Sequence, residues 1–451
     1  MRLAQALRVH RGDVISFIGA GGKTTALFRL GRELTSRRWR VIGTTTTRVA
    51  VEELHYAPWV LPVNESPDFD TITKALSKYH FVFLYRQLQS GKALGIGLDM
   101  VGRLLDRVSS DVLLIEADGA RRLPFKAPYA HEPVIPAETT RVVLSVGMDV
   151  LGRPLDSEHV YNPEAMIQRY GYPAGSPILW PWVASVLRDE HLGLRNVAPG
   201  MPVTVLLNKT LPGSGMHWRA RLMASLLLRS PRIRAVAIGA VQSATEPILE
   251  VRRPVAAIVL AAGLSSRMGR AKVLLPWGNG TVLEAILQRL FMTRLTQVVV
   301  VTGHYADRVE AVASKFDVRT VHNPDYAAGE MLSSLQVGIR ALDDRIAACL
   351  VVLGDQPQIQ GHVIARVLSA YAEGRGTIIA PSYQMRRGHP ILIDREHWAA
   401  LLELPSGSSP RDLINARTDE IAYVNVNTDS ILADIDTPED YEQARRRAGL
   451  A

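Results

Sequence analysis

A chain of 451 residues, 47% apolar and 21% charged, has the composition of an ordinary globular protein and exceeds what one hydrophobic core supports, so two domains or a few more are expected. Lys plus Arg exceed Asp plus Glu by 52 to 44, and the resulting +8 is spread along the chain, which favours small anionic substrates such as nucleotides over nucleic acid. A single Cys349 excludes a disulfide framework and a cysteine metal cluster. No run of 18 apolar residues occurs, and the start MRLAQALRVHRGD breaks into charge, so a soluble cytoplasmic protein without membrane contact is expected.

The first expected strand, DVISFIG, runs into GAGGKTT. The template G-x-x-x-x-G-K-[ST] would place its first glycine at Phe17. Counted from Gly19, the stretch fits G-x-x-G-K-T-T, a compact phosphate loop similar to that of the Mur peptide ligases. In that register Gly19 and Gly22 shape the loop, and Lys23 reaches the phosphates. Thr24 binds Mg²⁺ or caps the helix TTALFRLGRELTSR, with Thr25 beside it. WRVIGTT ends in Thr44 to Thr47, whose hydroxyls either face phosphates or express strand propensity alone. After HFVFLY comes DVLLIEAD, ending in Glu116 and Asp118 in the manner of a metal-binding pair, followed by Arg121 and Arg122. Lys126, His131 and Glu132 lie close behind, and His131 suits a surface loop better than catalysis. RVVLSVG and MPVTVLLN complete this series. Asn208 and Lys209 resemble the guanine-reading motif of GTPases, but Leu211 stands where its Asp belongs, so ATP and GTP are both open for this loop.

GAVQSATEPILEVRRP, Gly239 to Pro254, separates this series from a second, and the expected domains are residues 1–250 and 251–451. The second series opens with RPVAAIVLAAG and continues with TQVVVVTG, VRTVHN, AACLVVLGD, GTIIAP and IAYVNVN. Strands alternating with helix-period segments indicate two three-layer α/β/α domains with mostly parallel sheets, P-loop NTPase-like and then Rossmann-like. In LAAGLSSRMGRAK, the small Ala261, Ala262 and Gly263 let a polyphosphate approach the backbone. Arg267 can grip phosphate oxygens in a fork, and Lys272 adds a mobile charge. In DIDTPEDY, Thr437, Pro438 and Asp440 read as N-cap, N1 and N3 of a helix.

These motifs resemble the molybdenum cofactor nucleotidyltransferases, from about Pro254 to Arg447. The resemblance implies that VVLGDQP, with Asp355, is the metal motif and that Asp434 and Asp436 lie near the metal. It also implies that Gly329, Ser333 and Ser334 of NPDYAAGEMLSSLQVGI close over base and substrate, although the serines read equally well as helix caps. Mg²⁺ favours carboxylates together with phosphate oxygens, so Asp355 with Asp434 or Asp436 is the expected clamp. His389 in RRGHPILI falls in a Gly-His-Pro that the family often has, though a histidine before proline is more often a packing residue. The implied acceptor is molybdopterin bearing a terminal phosphate. Related guanylyltransferases carry two glycines where this chain has Ala262 and Gly263, so CTP is the expected nucleotide.

The first half, from about Gly12 to Ile248, resembles YqeC, the accessory family of selenium-dependent molybdenum hydroxylases. The segments that carry the likeness are GAGGKTT, TTTTRV, EADGARRLPFKAPYAHEPVIP and SVGMDVLGRPL. This implies nucleotide-dependent help in cofactor maturation, with a molybdenum hydroxylase apoenzyme as partner, and specifies no reaction. The expected protein is a fusion of such an accessory domain with a cytidylyltransferase making molybdopterin cytosine dinucleotide. The alternatives are transfer to a sugar or alcohol phosphate, and a non-enzymatic cofactor carrier or insertion chaperone.

Overall fold

In the computed structural model, which describes residues 1–327 and 331–450, each apolar run named above forms a strand. The chain divides into two units, Met1–Arg252 and Arg253–Ala451.

The sheet of the first unit has the order Ile248–Arg252, Ile233–Gly239, Val203–Asn208, Arg141–Gly147, Asp13–Gly19, Val112–Glu116, Val41–Thr45, Phe81–Tyr85 and Trp59–Pro62. All neighbours pair in parallel except Ile248–Arg252. Helices cover both faces, as near-continuous apolar strands require. Ile15 and Phe17 pack with Leu27, Phe28 and Leu30 of the helix Lys23–Thr35. Val14 and Leu113 pack with Leu76 and Leu104, from the helices Phe69–Tyr79 and Leu98–Arg107.

The strand Ile248–Arg252 lies inside the segment that reads in sequence as a separator. Its Glu250 breaks the apolar pattern, yet that carboxylate is buried and held by Arg221 at 2.6 Å, His217 at 2.8 Å and Arg252 at 2.9 Å. Neutralisation by residues from a distant helix is what lets a charged segment finish a sheet. Trp59–Pro62, Ile233–Gly239 and Ile391–Asp394 are further strands that the sequence reading does not single out.

In the second unit the order is Arg319–His322, Gln297–Thr302, Val255–Leu260, Ala348–Leu353, Ile391–Asp394, Ile378–Tyr383, with Ile421–Asn425 pairing in parallel to Ile378–Tyr383. Ile391–Asp394 runs antiparallel to both of its neighbours, so this sheet is mixed. Val255, Ala257 and Val259 face Leu283, Leu287 and Val363, whereas Ala256 and Ile258 face Leu335, Ile339 and Trp398. Both sheets therefore belong to three-layer α/β/α arrangements, and each presents the carboxyl ends of its parallel strands as a row of loops, where such sheets place ligands. Among the described residues no helix is long and apolar enough to cross a membrane.

Candidate functional site

In the first unit three neighbouring strands end at one place. Gly19 leads into the glycine-rich loop, Glu116 ends the strand on one side, and Gly147 ends the strand on the other. The loop is tight: a Cβ on Gly21, whose φ is +71°, would lie 2.0 Å from the amide nitrogen of Gly147. Asn208 braces it, donating from Nδ2 to Gly21 O at 2.8 Å and accepting from Val241 N at 3.0 Å. The resemblance to a base-reading motif is thus replaced by a structural role.

Lys23 donates to Gly19 O at 2.7 Å and lies 3.2 Å from Asp118 Oδ1 and 3.9 Å from Glu116 Oε1. Burial pulls its ammonium down, but Asp118 and Glu116 outweigh that and hold it above its ordinary value. Asp118 Oδ2 accepts from the Gly19 amide at 3.0 Å and pairs with Lys126 at 3.1 Å, and Lys126 also pairs with Glu132 at 2.9 Å. Thr24 donates to Glu116 Oε2 at 2.8 Å, and burial pushes the Glu116 carboxyl up to about 7. Two buried lysines face three buried carboxylates, which leaves the cluster short of positive charge. Glu116 beside Thr24 offers hard oxygen donors suited to a divalent cation, whereas Asp118 is engaged by the lysines and the loop amide.

Thr44, Thr45 and Thr46 donate to Leu84 O, Glu116 O and Val134 O, so these hydroxyls are spent on backbone carbonyls of two neighbouring strands and a loop. Thr25 is in the first turn of the helix Lys23–Thr35. His131 is exposed and stacks 6.1 Å from Tyr129, in keeping with a loop residue.

In the second unit Lys272 is the hub. Its Nζ lies 2.5 Å from Asp436 Oδ1 and 3.5 Å from Asp355 Oδ2, while Arg267 holds Asp436 Oδ2 at 2.9 Å. Burial raises the Asp355 carboxyl above its ordinary range, Lys272 opposes this, and the Asp434 carboxylate adds to it. Asp434 accepts from Gln356 Nε2 at 2.5 Å. Both oxygens of Asp436 are therefore taken by cations, and Asp355 with Asp434 forms the carboxylate pair whose mutual repulsion a divalent cation would relieve. A cavity of about 270 Å³ is lined by Ala261, Ala262, Gly263, Lys272, Asp355 and Asp434, and Ser334 also borders it. Ser333 and Ser334 are not N-caps: both lie within the helix Met331–Arg340 and accept from the buried Asn323 Nδ2 at 3.0 Å. Gly329 lies outside the described residues. The expected cap at Thr437, with Pro438 and Asp440, is present as a reciprocal capping box.

A family model of the YqeC protein matches residues 15–164, and one of the MobA-like NTP transferase domain matches residues 257–421. The chain is 30% identical to the molybdenum cofactor cytidylyltransferase of Escherichia coli (strain K12) over 191 residues, 42% of this chain and 95% of that protein. It is 31% identical to the uncharacterized protein YqeC of the same organism over 199 residues, 44% of this chain and 77% of that protein. The chain belongs to both families. A third relative, nicotine blue oxidoreductase of Paenarthrobacter nicotinovorans, is 31% identical over 41% of this chain and 93% of its own length.

Residues the motifs did not reveal stand beside both clusters. In the YqeC half, Glu53 stands beside Thr24 and Lys23, carried by the turn Val51–Tyr56, which packs on the helix Lys23–Thr35 through Leu54. No motif could have marked it, because it enters from a separate loop. In the transferase half, a second cavity of about 680 Å³ shares Asp434 with the first and is lined by Arg386, Arg387, Arg411, Asn415 and His389. Three arginines from two distant segments suit an anionic ligand.

Burial, followed by Arg411 and Arg387, holds His389 down at about 4, so its imidazole is neutral at physiological pH. Folding favours that neutral form above the ordinary pKa near about 6.5, and the contribution is lost as pH falls from there through the folded value. His389→Asn is accordingly expected to flatten the acid limb of thermal stability between about pH 6.5 and 4. It should leave pyrophosphate formation at pH 7.5 within a few-fold; a loss of 100-fold there would assign the imidazole a direct part in the reaction.

Glu396, His397 and Glu420 also converge, with His397 Nε2 3.4 Å from Glu420 Oε2. A metal-bound imidazole normally donates from its other nitrogen, yet His397 Nδ1 has no partner and Nε2 is 2.8 Å from Thr377 Oγ1, so the cluster reads as a buried histidine hydrogen-bonded beside two more exposed carboxylates.

Proposed function

We propose that the transferase half joins CMP from CTP to the terminal phosphate of molybdopterin, with Mg²⁺, giving molybdopterin cytosine dinucleotide and pyrophosphate. In this reading the first half is a P-loop NTPase-like domain that binds ATP or GTP and assists maturation of a molybdenum hydroxylase apoenzyme in the cytoplasm. The second half is Rossmann-like. The observation that carries the proposal is the meeting of two cavities at Asp434: a small one beside the small-residue loop and Lys272, and a larger one lined by arginines. That is the arrangement a nucleotide and a bulky anionic acceptor need.

A phosphate monoester has a second pKa near about 6 and is mostly dianionic at neutral pH, so the acceptor needs no general base. Its oxygen forms the new bond to the α-phosphorus, the bond between the α- and β-phosphates breaks, and the electron pair leaves with pyrophosphate. Lys272 and Arg267, held by Asp436 at rest, are placed to turn to the phosphates. A Mg²⁺ at Asp355 and Asp434 would neutralise charge on the phosphate oxygens. At the first site, Glu116 and Thr24 would hold the ion and Asp118 would hold Lys23 in place.

The test is pyrophosphate release by the full chain with Mg²⁺, CTP or GTP, and a panel of acceptors. Release with molybdopterin and CTP is expected. Higher kcat/KM with GTP would overturn the choice of nucleotide, and release with sugar or alcohol phosphates alone would overturn the acceptor. No release with any acceptor would favour a carrier, or a redox activity such as the third relative's name carries.

A further inference from the structure

We propose that Tyr326 is the platform on which the base of the bound nucleotide stacks. The inference rests on the nucleotidyltransferase reading and deepens it: the family resemblance singles out Gly329, Ser333 and Ser334 in the segment NPDYAAGEMLSSLQVGI, and Tyr326 of the same segment is a further residue with a role of its own. Tyr326 lines the same 270 Å³ cavity as Lys272 and Asp355, but from further along the row of strand ends. Asp355 follows the strand Ala348–Leu353, and Tyr326 follows Arg319–His322, three strands away. At ~4.8 Å per strand the two ends are separated by ~14 Å, a span suited to a ligand with phosphates at one end and a base at the other.

The walls between these ends are made for close approach. Val255–Leu260 ends in Ala261, Ala262 and Gly263, and the His304 amide donates to Ala262 O at 3.4 Å. A Cβ on Gly303 would lie 2.3 Å from Ala262 O, so the turn after Gln297–Thr302 is seated directly on the small-residue loop. Beyond that turn, the Tyr326 ring lies 5.8 Å from the His304 ring and 6.0 Å from that of His322. The turn carrying Tyr326 is itself anchored. Asn323 donates through its amide to Thr302 O at 2.9 Å, accepts from Asp325 N at 3.1 Å, and holds Ser333 and Ser334 through Nδ2. A flat, braced, partly exposed ring at the far end of a cavity that also holds Lys272 and Asp355 is what base stacking requires, and every base has a π-face to offer it.

The experiment is calorimetric titration of CTP, and separately of pyrophosphate, into the full chain with Mg²⁺. Tyr326→Ala is expected to weaken CTP by about 10-fold or more and leave pyrophosphate unchanged. Tyr326→Phe, which keeps the ring, should stay within about two-fold of the unsubstituted protein. In turnover the alanine variant should raise KM for CTP and change kcat little. Equal losses in the two variants, or unchanged CTP affinity in Tyr326→Ala, would overturn the stacking role while leaving the reaction class standing. If the unsubstituted chain binds neither CTP nor GTP, the nucleotidyltransferase reading and this inference fall together.

Discussion

Lys272→Ala lowers the rate of pyrophosphate release by a factor on the order of 10²–10³, the usual effect of removing one preorganised charge from a site that works by electrostatic stabilisation. Lys272 is nearly buried and spans Asp355 and Asp436, so its loss removes a phosphate partner and leaves two carboxylates short of their counter-charge. The neighbouring acids separate the roles. Asp434→Asn should raise the Mg²⁺ concentration needed for half-maximal rate by about 10-fold or more, because it halves the carboxylate pair. Asp436→Asn should leave that concentration nearly unchanged and lower kcat through a less well-held Lys272 and Arg267. Rates measured across a Mg²⁺ series, with thermal unfolding as a control for folding, distinguish the outcomes. An unchanged rate in Lys272→Ala would refute the site even if the activity stands.

Lys23→Ala abolishes nucleotide binding by the YqeC half and leaves CMP transfer by the other half intact. It also destabilises the first unit. Lys23 and its partners Asp118 and Glu116 are all buried, and removing one partner of a buried ion pair costs about 3–5 kcal/mol. Thr24→Val is the cleaner probe, because it removes the hydroxyl beside Glu116 without stripping charge from the cluster. We expect both variants to lose binding of a fluorescent ATP or GTP analogue and hydroxylase maturation in cells, and Lys23→Ala alone to lower the melting temperature by several degrees. Loss of CMP transfer in Thr24→Val would mean that the two halves are coupled.

The legible parts of this protein share one property: their function is local in sequence. GAGGKTT, LAAGLSSRMGRAK and VVLGDQP each follow an apolar strand, and the structure finds each on a strand end. The Thr437 cap was readable for the same reason, since its partners lie within three residues. The threonines at the end of the strand Val41–Thr45 carried no such information. Strand propensity and phosphate contact predict the same residue type, and only their bonds to distant carbonyls decide between them.

By itself the sequence determined the α/β class, the two small-residue loops that follow strands and the carboxylates at strand ends, because backbone periodicity and glycine chemistry act over a few residues. Tertiary structure alone decided which partners each carboxylate meets. Asp118 and Glu116 are two residues apart, yet one is clamped by Lys23 and Lys126 and the other faces Thr24. Asp434 and Asp436 have the same spacing, and again the two differ: Asp434 accepts from the neutral amide of Gln356, whereas Asp436 is engaged by Lys272 and Arg267. A carboxylate's task is set by the charges within about 4 Å of it, and in a parallel sheet those come from strands and loops far away in the chain.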